Sequence, residues 1–132
     1  MRIRDIMHFE VIMLNPEDTA RKALEVMNEK KINGAPVVDK DRKLQGIIVK
    51  ADVYRFLIEE GHYDTYPISN IMTKEVVTAD IDEDIIDVAQ KIIDNEIVAI
   101  PVLEEEKVIG LVSIENLIQH FIDIYKEKKA DN

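Results

Sequence analysis

The sequence predicts an α+β fold built from two copies of a β-α-β-β-α unit, and two observations support this. First, the chain is similar to itself: a shift of 65 residues places Met7 on Met72 and Pro36 on Pro101. Second, each copy has a stretch with apolar residues at helical spacing, followed by two short apolar stretches that a charged turn separates. These patterns indicate a helix and then a β-hairpin. Repetition at a fixed period indicates a repeated structural unit.

The first copy opens with "DIM", for which we expect a helical turn, and "VIML", for which we expect a short strand. The stretch "DTARKALEVMNEKK" predicts a helix, with Asp18 as the candidate N-cap. The stretches "APVV" and "KLQGIIV" predict a hairpin. The stretch "ADVYRFLIEE" predicts a closing helix that ends before Gly61.

The second copy repeats this order with "NIM", "VVTA", "DEDIIDVAQKIIDNE", "IPVL", "KVIGLVS" and "IENLIQHFIDIYKEKK". We therefore divide the chain into repeat 1 (residues 1–60), a linker (61–67) and repeat 2 (68–132). A unit of about sixty residues buries little surface alone. We expect the two repeats to pack together into one compact module.

Composition argues against several classes of function. The net charge of −10 and the lack of a basic stripe argue against a nucleic-acid partner. The apolar runs are too short to span a membrane, and the charged N-terminus is unlike a signal peptide. The chain has no cysteine, which excludes disulfides and thiolate metal sites and favours a cytoplasmic location.

Both closing helices carry more apolar residues than one buried stripe needs. In the second helix these residues cover more than one face and include Leu117, Ile118, Phe121, Ile122 and Tyr125. The surplus predicts a homodimer formed through the closing helices. The alternative, that the linker and the N-terminal segment cover the second face, stays open.

Four features occur in the same order in both copies: the "DIM" or "NIM" opening, the strand "APVV" or "IPVL", a final strand led by glycine, and a polar pair that opens the last helix. With these features together, the sequence resembles a tandem pair of CBS domains, the arrangement called a Bateman module. The resemblance covers the whole chain. It implies two sheets that pack face to face about a pseudo-twofold axis.

The resemblance also implies a function. Bateman modules commonly bind an adenosine-containing ligand, such as AMP, ADP, ATP or S-adenosylmethionine, in clefts between the two repeats. They usually regulate an attached protein. Here we expect regulation in trans of an unknown protein partner, and we expect no cofactor to be required.

In the resembled family, ligand contacts fall on the stretches that match "GIIVKADV" and "GLVSIENL". Repeat 1 keeps the ribose-binding acid, Asp52, but has Val49 in place of the family's hydroxyl residue. Repeat 2 keeps the hydroxyl, Ser113, but has Asn116 in place of the acid. A carboxylate accepts from both ribose hydroxyls, whereas an amide has one acceptor oxygen. We expect asymmetric binding, with Asp52 as the better ribose contact and Lys50 beside it as the phosphate contact.

Weaker candidates surround these positions. Arg4 and His8 are candidates for phosphate binding, although an ordinary surface position also explains each. The candidate adenine pocket consists of Val11, Met13, Ala35, Pro36, Val76, Thr78, Ile100 and Pro101. The two prolines are also explained as core strand residues. The helix dipole explains Asp52, and an N-cap explains Ser113.

The three histidines lack the spacing of a metal site, and no catalytic motif stands out, so we expect neither a metal site nor an enzyme. Two functions remain. The favoured one is a regulatory module that senses an adenosine-containing ligand. The alternative is a structural dimerisation or protein-interaction module with degenerate, ligand-free clefts, because neither repeat keeps both polar residues.

Overall fold

The computed structural model describes residues 1–131 and confirms the predicted α+β fold class. The helices are α1 (Ala20–Lys30), α2 (Lys50–Ile58), α3 (Ile85–Asp94) and α4 (Ile114–Ala130). The strands are β1 (Gly34–Val38), β2 (Leu44–Val49), β3 (Ala79–Asp80), β4 (Ala99–Glu104) and β5 (Lys107–Ser113). Short 3₁₀ turns at Ile3–Asp5 and Ile68–Asn70 form the openings of the two repeats.

The chain divides into two compact units. The middle unit consists of Ile12–Val76 together with Glu106–Val108. The outer unit consists of Met1–Val11, Val77–Glu105 and the chain from Ile109 on. Each unit therefore contains most of one repeat and the opening segment of the other.

In the middle unit, β1 and β2 form the predicted antiparallel hairpin, in which Ala35 lies opposite Ile48. The expected strand at "VIML" is reduced to a single parallel bridge between Leu14 and Val37. Helices α1 and α2 contribute apolar faces to the core of this unit. The buried core residues are Leu14, Ala20, Ala23, Met27, Ala35, Val37, Ile48, Val53 and Ile68.

In the outer unit, β3, β4 and β5 form a three-stranded sheet in that order. Strand β3 is two residues long and pairs in parallel with β4, with Ala79 opposite Val102. Ala79 and Val102 are the residues of repeat 2 that match Leu14 and Val37 of repeat 1, so the two repeats pair in the same register. The buried core residues are Ile3, Met7, Ala79, Ile81, Ile85, Val88, Ile92, Ile100, Val102, Val112 and Leu117.

The opening segment of each repeat pairs with the last strand of the other repeat. The backbone of His8 exchanges two hydrogen bonds of 3.0 Å with Leu111 in β5. The backbone of Thr73 exchanges two hydrogen bonds of 2.9 Å with Ile47 in β2. A glycine beside each bridge, Gly110 or Gly46, makes this close approach possible. A Cβ atom at Gly110 would lie 2.8 Å from the carbonyl oxygen of His8.

Two helix ends differ from the expectation. The side chain of Thr19, not of Asp18, caps α1 by accepting from the backbone N–H of Lys22 at 3.1 Å. Asp18 instead accepts from the backbone N–H of Asn15, so its carboxylate stabilises the preceding turn. Helix α2 ends at Ile58, before the predicted "EE", because the backbone of Glu59 is extended.

Candidate functional site

The two candidate ligand-binding stretches form matching strand-to-helix junctions. At the first junction, β2 runs into α2, and the backbone N–H of Lys50 donates to the carbonyl of Asn33 at 2.7 Å. At the second junction, β5 runs into α4, and the backbone N–H of Ile114 donates to the carbonyl of Val98 at 2.8 Å. The backbone makes the same hydrogen bond at both junctions, so the junctions differ chemically in their side chains.

At the first junction, Asp52 lies in the first turn of α2, where the helix dipole stabilises a negative charge. Its side chain keeps 26% of its surface exposed and forms an ion pair with Arg55, one helical turn further on. The side chain of Arg55 is 71% exposed. Exposed ion pairs of this kind contribute little free energy, about 0–1 kcal/mol. A ligand hydroxyl can therefore compete for the carboxylate at small cost.

The ammonium group of Lys50 belongs to the same junction. Its Nζ donates to Oδ1 of Asn28 in α1 at 2.6 Å. Because Asn28 is neutral, this bond positions the ammonium without cancelling its charge. A Lys keeps three donor hydrogens, so an anionic ligand can bind Lys50 without displacing Asn28.

The second junction holds a capping box. The hydroxyl of Ser113 accepts from the backbone N–H of Asn116 at 3.1 Å, and Oδ1 of Asn116 accepts from the backbone N–H of Ser113 at 2.8 Å. The N-cap explanation of Ser113 is therefore correct for this structure. Each oxygen accepts one bond within the box, and the Ser113 hydroxyl hydrogen and the Asn116 amide hydrogens are left as donors. The first junction thus offers a charged carboxylate, and the second offers only neutral polar groups.

The capping box gives a direct stability prediction. Ser113→Ala should lower the free energy of unfolding by about 1 kcal/mol, because α4 loses the acceptor for an N-terminal backbone N–H. Urea unfolding followed by circular dichroism measures this change. Ser113→Thr is the matched control, since it keeps the hydroxyl and should lose only a few tenths of a kcal/mol. Equal stability of the Ala variant and the wild type would show that the cap contributes nothing.

The candidate adenine-pocket residues are distributed over both units. Four belong to the outer unit (Val11, Thr78, Ile100 and Pro101) and four to the middle unit (Met13, Ala35, Pro36 and Val76). The side chains of Ala35 and Ile100 are buried within the two cores, and both prolines are buried in β1 and β4. The core explanation of the prolines agrees with this burial. Contact with adenine stays a prediction for all eight residues.

The two weaker phosphate candidates lie near the start of the chain in the outer unit. Nε of Arg4 donates to Oδ1 of Asp82 at 3.1 Å, in an ion pair whose two side chains are about half exposed. His8 is exposed and is fixed through its backbone bonds to Leu111. Phosphate binding by either residue stays a prediction.

The linker covers part of the apolar surface of α2. The ring of His62 stacks on Phe56 with a centroid distance of 4.0 Å, and Tyr66 lies 5.5 Å from Phe56. Tyr54 and Ile58 nevertheless remain 47% and 82% exposed. The alternative that the linker covers the extra face is therefore correct for Phe56 but not for Tyr54 and Ile58.

Two structural findings concern metal binding and membrane spanning. Within residues 1–131, no cluster of three or more His, Cys, Asp and Glu side chains is placed to hold a metal ion. No helix in the same range is long and apolar enough to cross a membrane.

Two ranges of the chain, residues 3–59 and 68–123, match the family model of the CBS domain. The chain belongs to the CBS domain family. It is a tandem CBS pair, as the two matched ranges and the solved structures of similar chains show.

Two solved structures illustrate how far the likeness extends. The CBS domain pair of protein MJ0100, in complex with 5′-methylthioadenosine and S-adenosyl-L-methionine, is 30% identical with a TM-score of 0.80. The match covers 92% of this CBS pair and 95% of that chain. The acetoin utilization protein AcuB from Vibrio cholerae is 18% identical with a TM-score of 0.88 over 98% and 96% of the two chains, which is a likeness of fold alone.

Curated relatives of this CBS pair are longer proteins. The homoserine O-acetyltransferase of Methanococcus vannielii is 36% identical over 116 residues, which are 87% of this chain and 24% of that enzyme. The inosine-5'-monophosphate dehydrogenase of Aquifex aeolicus is 34% identical over 123 residues, or 92% and 23% of the two chains. The chain thus spans about a quarter of the length of these relatives.

The partners of Asp52 and Lys50 were not predicted from the sequence. Arg55 stands three residues after Asp52 on a predicted helix, and this spacing is a known signal for a side-chain pair. The bond between Lys50 and Asn28 joins residues 22 positions apart, so no local pattern indicates it.

Proposed function

We propose that this tandem CBS chain is a regulatory module that binds an adenosine-containing ligand and acts in trans on a protein partner. The candidate ligands are AMP, ADP, ATP and S-adenosylmethionine. The observation that carries the proposal is the likeness to the MJ0100 CBS pair, which was crystallised with two adenosine-containing molecules and matches this chain over almost its full length.

The chemistry of the first junction supports the proposal. Asp52 offers a partly exposed carboxylate that pairs with a largely exposed Arg55. Hydrogen bonds to a charged acceptor contribute about 1.5–3 kcal/mol each, which favours Asp52 as the ribose contact. Lys50 adds a positive charge two residues earlier in a chain whose net charge is −10. We therefore propose the first junction as the preferred site for a phosphorylated adenosine.

The second junction has a smaller proposed role. Ser113 and Asn116 are neutral and already bond to each other's backbone in the capping box, and their donor hydrogens are left to contact ribose. Neutral hydrogen bonds contribute about 0.5–1.5 kcal/mol. This difference supports asymmetric binding between the two junctions.

Thermal unfolding with added ligand tests the proposal. A ligand that binds only the folded state at 100 times its Kd adds about 2.7 kcal/mol of stability, which raises Tm by several degrees in a chain of this size. We expect such a shift with at least one of AMP, ADP, ATP and S-adenosylmethionine. GMP serves as the control, since it has the ribose and phosphate but a different base. No shift with any adenosine-containing ligand at millimolar concentration would contradict the proposal.

A second candidate function is a structural or protein-interaction module that binds no ligand. One observation favours it: Asp52, Lys50, Ser113 and Asn116 all have partners within the chain, so no candidate group requires a ligand for its hydrogen bonds. The same unfolding experiment separates the two functions.

We propose a homodimer formed through the closing helices α2 and α4 as the state in which the module acts. The exposed apolar side chains on both helices support this. Several exposed apolar residues close together mark an interaction surface, whereas single ones are common on any protein. The protein partner is unidentified, and neither nucleic acid nor a membrane is proposed as a partner. The cysteine-free sequence supports the cytoplasm as the proposed location.

A further inference from the structure

The ammonium group of Lys50 is held by a helix other than its own. Lys50 is the first residue of α2, where the positive end of the helix dipole disfavours a cation. Its side chain extends to the last turn of α1, at the negative end of that helix, and Nζ donates to Oδ1 of Asn28 at 2.6 Å. Lys50 is partly buried, so salt screens its charge less than that of an exposed lysine.

The partner of this ammonium group is neutral, although the chain is rich in acids. The sequence has 27 Asp and Glu residues against 17 Lys and Arg residues. Several other bases of the chain donate to carboxylates, namely Arg4, Arg21, Lys22, Arg55 and Lys91. A carboxylate beside Lys50 would offset its positive charge, whereas the amide of Asn28 leaves that charge intact. The first junction therefore keeps a positively charged group in a fixed position.

Repeat 2 indicates that the fold does not require a polar contact at this point. The offsets that relate the two repeats place Ile93 at the position of Asn28 and Ile114 at the position of Lys50. The backbone N–H of Ile114 nevertheless makes the same junction bond as that of Lys50. A pair of isoleucines is thus compatible with the junction, and the bond between Asn28 and Lys50 is available for a role in binding.

We infer that Asn28 is a positioning residue that sets the preference of the first junction for adenosine with a 5′-phosphate over adenosine without one. The inference rests on the proposed function and adds the residue that determines its specificity. Asn28 uses one donor hydrogen of Lys50 and leaves the charge and two donor hydrogens for the phosphate. A ligand that is neutral at its 5′ end gains nothing from this arrangement.

Asn28→Asp tests the inference, because it replaces the amide beside Lys50 with a carboxylate of nearly the same shape. Isothermal titration calorimetry at low ionic strength measures the Kd of AMP and of adenosine. The wild type should bind AMP more tightly than adenosine. In the variant, the Kd of AMP should rise about fivefold, since the carboxylate offsets the charge of Lys50 and repels the phosphate. The Kd of adenosine should stay within about twofold of the wild type, since adenosine carries no charge for the carboxylate to repel.

Two measurements serve as controls for this substitution. Gln90→Glu makes the same change from amide to carboxylate at an exposed position of α3, and it should leave the ratio of the two Kd values unchanged. Thermal unfolding without ligand should give Asn28→Asp the Tm of the wild type or a higher one, because an ion pair replaces a neutral bond. A purely structural role of Asn28 would instead lower Tm and weaken both ligands together.

A double-mutant cycle distinguishes positioning from direct contact with the ligand. Lys50→Ala should raise the Kd of AMP about tenfold, because a charged donor is lost. Asn28→Ala should raise it about threefold, because the ammonium group of Lys50 is no longer held in place. When Lys50→Ala is already present, adding Asn28→Ala should change the Kd of AMP by less than about 1.5-fold. The same threefold effect in both backgrounds would show that Asn28 acts on AMP without Lys50 and would overturn the positioning role.

The results separate this inference from the proposed function. A wild type that binds none of AMP, ADP, ATP, S-adenosylmethionine and adenosine would overturn both. Binding of S-adenosylmethionine alone, or equal affinity for AMP and adenosine, would leave the proposed function standing and overturn the phosphate preference. A wild type that prefers AMP, together with an Asn28→Asp variant that keeps the same preference, would overturn only the role of Asn28.

Discussion

A Gly110→Val variant should lose about 2–4 kcal/mol of its free energy of unfolding, because the new side chain meets the backbone of the opening segment. A Cβ atom at this position would lie 2.8 Å from the carbonyl oxygen of His8 and 3.0 Å from the side chain of Met7. Overpacking of this kind costs about 1–3 kcal/mol. Disturbing the two backbone hydrogen bonds between His8 and Leu111 adds about 1 kcal/mol for each bond lost.

Urea unfolding measures the loss, and hydrogen exchange localises it. The amides of His8 and Leu111 should exchange faster in the variant, since each donates one bond of the bridge. Lys107→Val is the matched control because it adds the same side chain at an exposed position of the same strand, where effects within about 0.5 kcal/mol are usual. Wild-type stability of Gly110→Val with both amides still protected would contradict this prediction, because it would show that the added side chain fits without disturbing the bridge.

Asp52→Ala should weaken the binding of an adenosine-containing ligand by tenfold or more. The reason is the loss of a charged acceptor for the ribose hydroxyls, with each such bond contributing about 1.5–3 kcal/mol. A factor of ten in Kd corresponds to about 1.4 kcal/mol, so even one lost bond produces this effect. Isothermal titration calorimetry with whichever ligand raises Tm measures the affinity of the folded protein directly.

Two variants serve as controls for Asp52. Arg55→Ala removes the ion-pair partner of the carboxylate but not the carboxylate, so affinity should stay within about threefold of the wild type. Asn116→Ala removes the matching side chain at the second junction, and its effect should be smaller than that of Asp52→Ala. Equal losses for Asp52→Ala and Asn116→Ala would contradict the proposed asymmetry, and wild-type affinity of Asp52→Ala would remove it from the ribose site.

The order of helices and hairpins follows from the sequence because it depends on local patterns. Helices α1 and α3 bury the apolar face that their spacing predicts, and the charged turns separate the strands of both hairpins. The opening strands were harder to predict. They pair through one bridge at Leu14 and through the two residues of β3, and strands this short carry little periodic signal.

The pairing of each opening segment with the last strand of the other repeat could not be predicted from the pattern of apolar residues. The openings "DIM" and "NIM" have nearly the same apolar residues, with Ile3 and Met7 in one matching Ile68 and Met72 in the other. The apolar residues of either opening segment could therefore pack equally well in the core of either unit. The choice between the cores depends on the path of the whole chain, about which a local pattern carries no information.

At the candidate site, the sequence indicated the residue types but not their bonding. Asp52 and Ser113 occupy matching positions, and the structure shows that one side chain forms an ion pair along its helix while the other caps its helix. The capping box was only partly accessible, because its sequence signature has Glu or Gln three residues after the hydroxyl, whereas this chain has Asn116 there. The side-chain bond from Lys50 to Asn28 depends on the packing of α1 beside α2, which is a tertiary property.

The outer unit is formed from segments that lie far apart in the sequence, and this affects how the chain folds during translation. Residues 12–76 of the middle unit are made in one continuous stretch, so that unit can begin to fold early in translation. Residues 1–11 of the outer unit are made first, yet their partners in β5 emerge about one hundred residues later. At 5–20 residues per second, Ile3 and Met7 wait roughly 5–20 s as exposed apolar groups. The opening segment is therefore exposed to contacts with chaperones and with other chains during this interval.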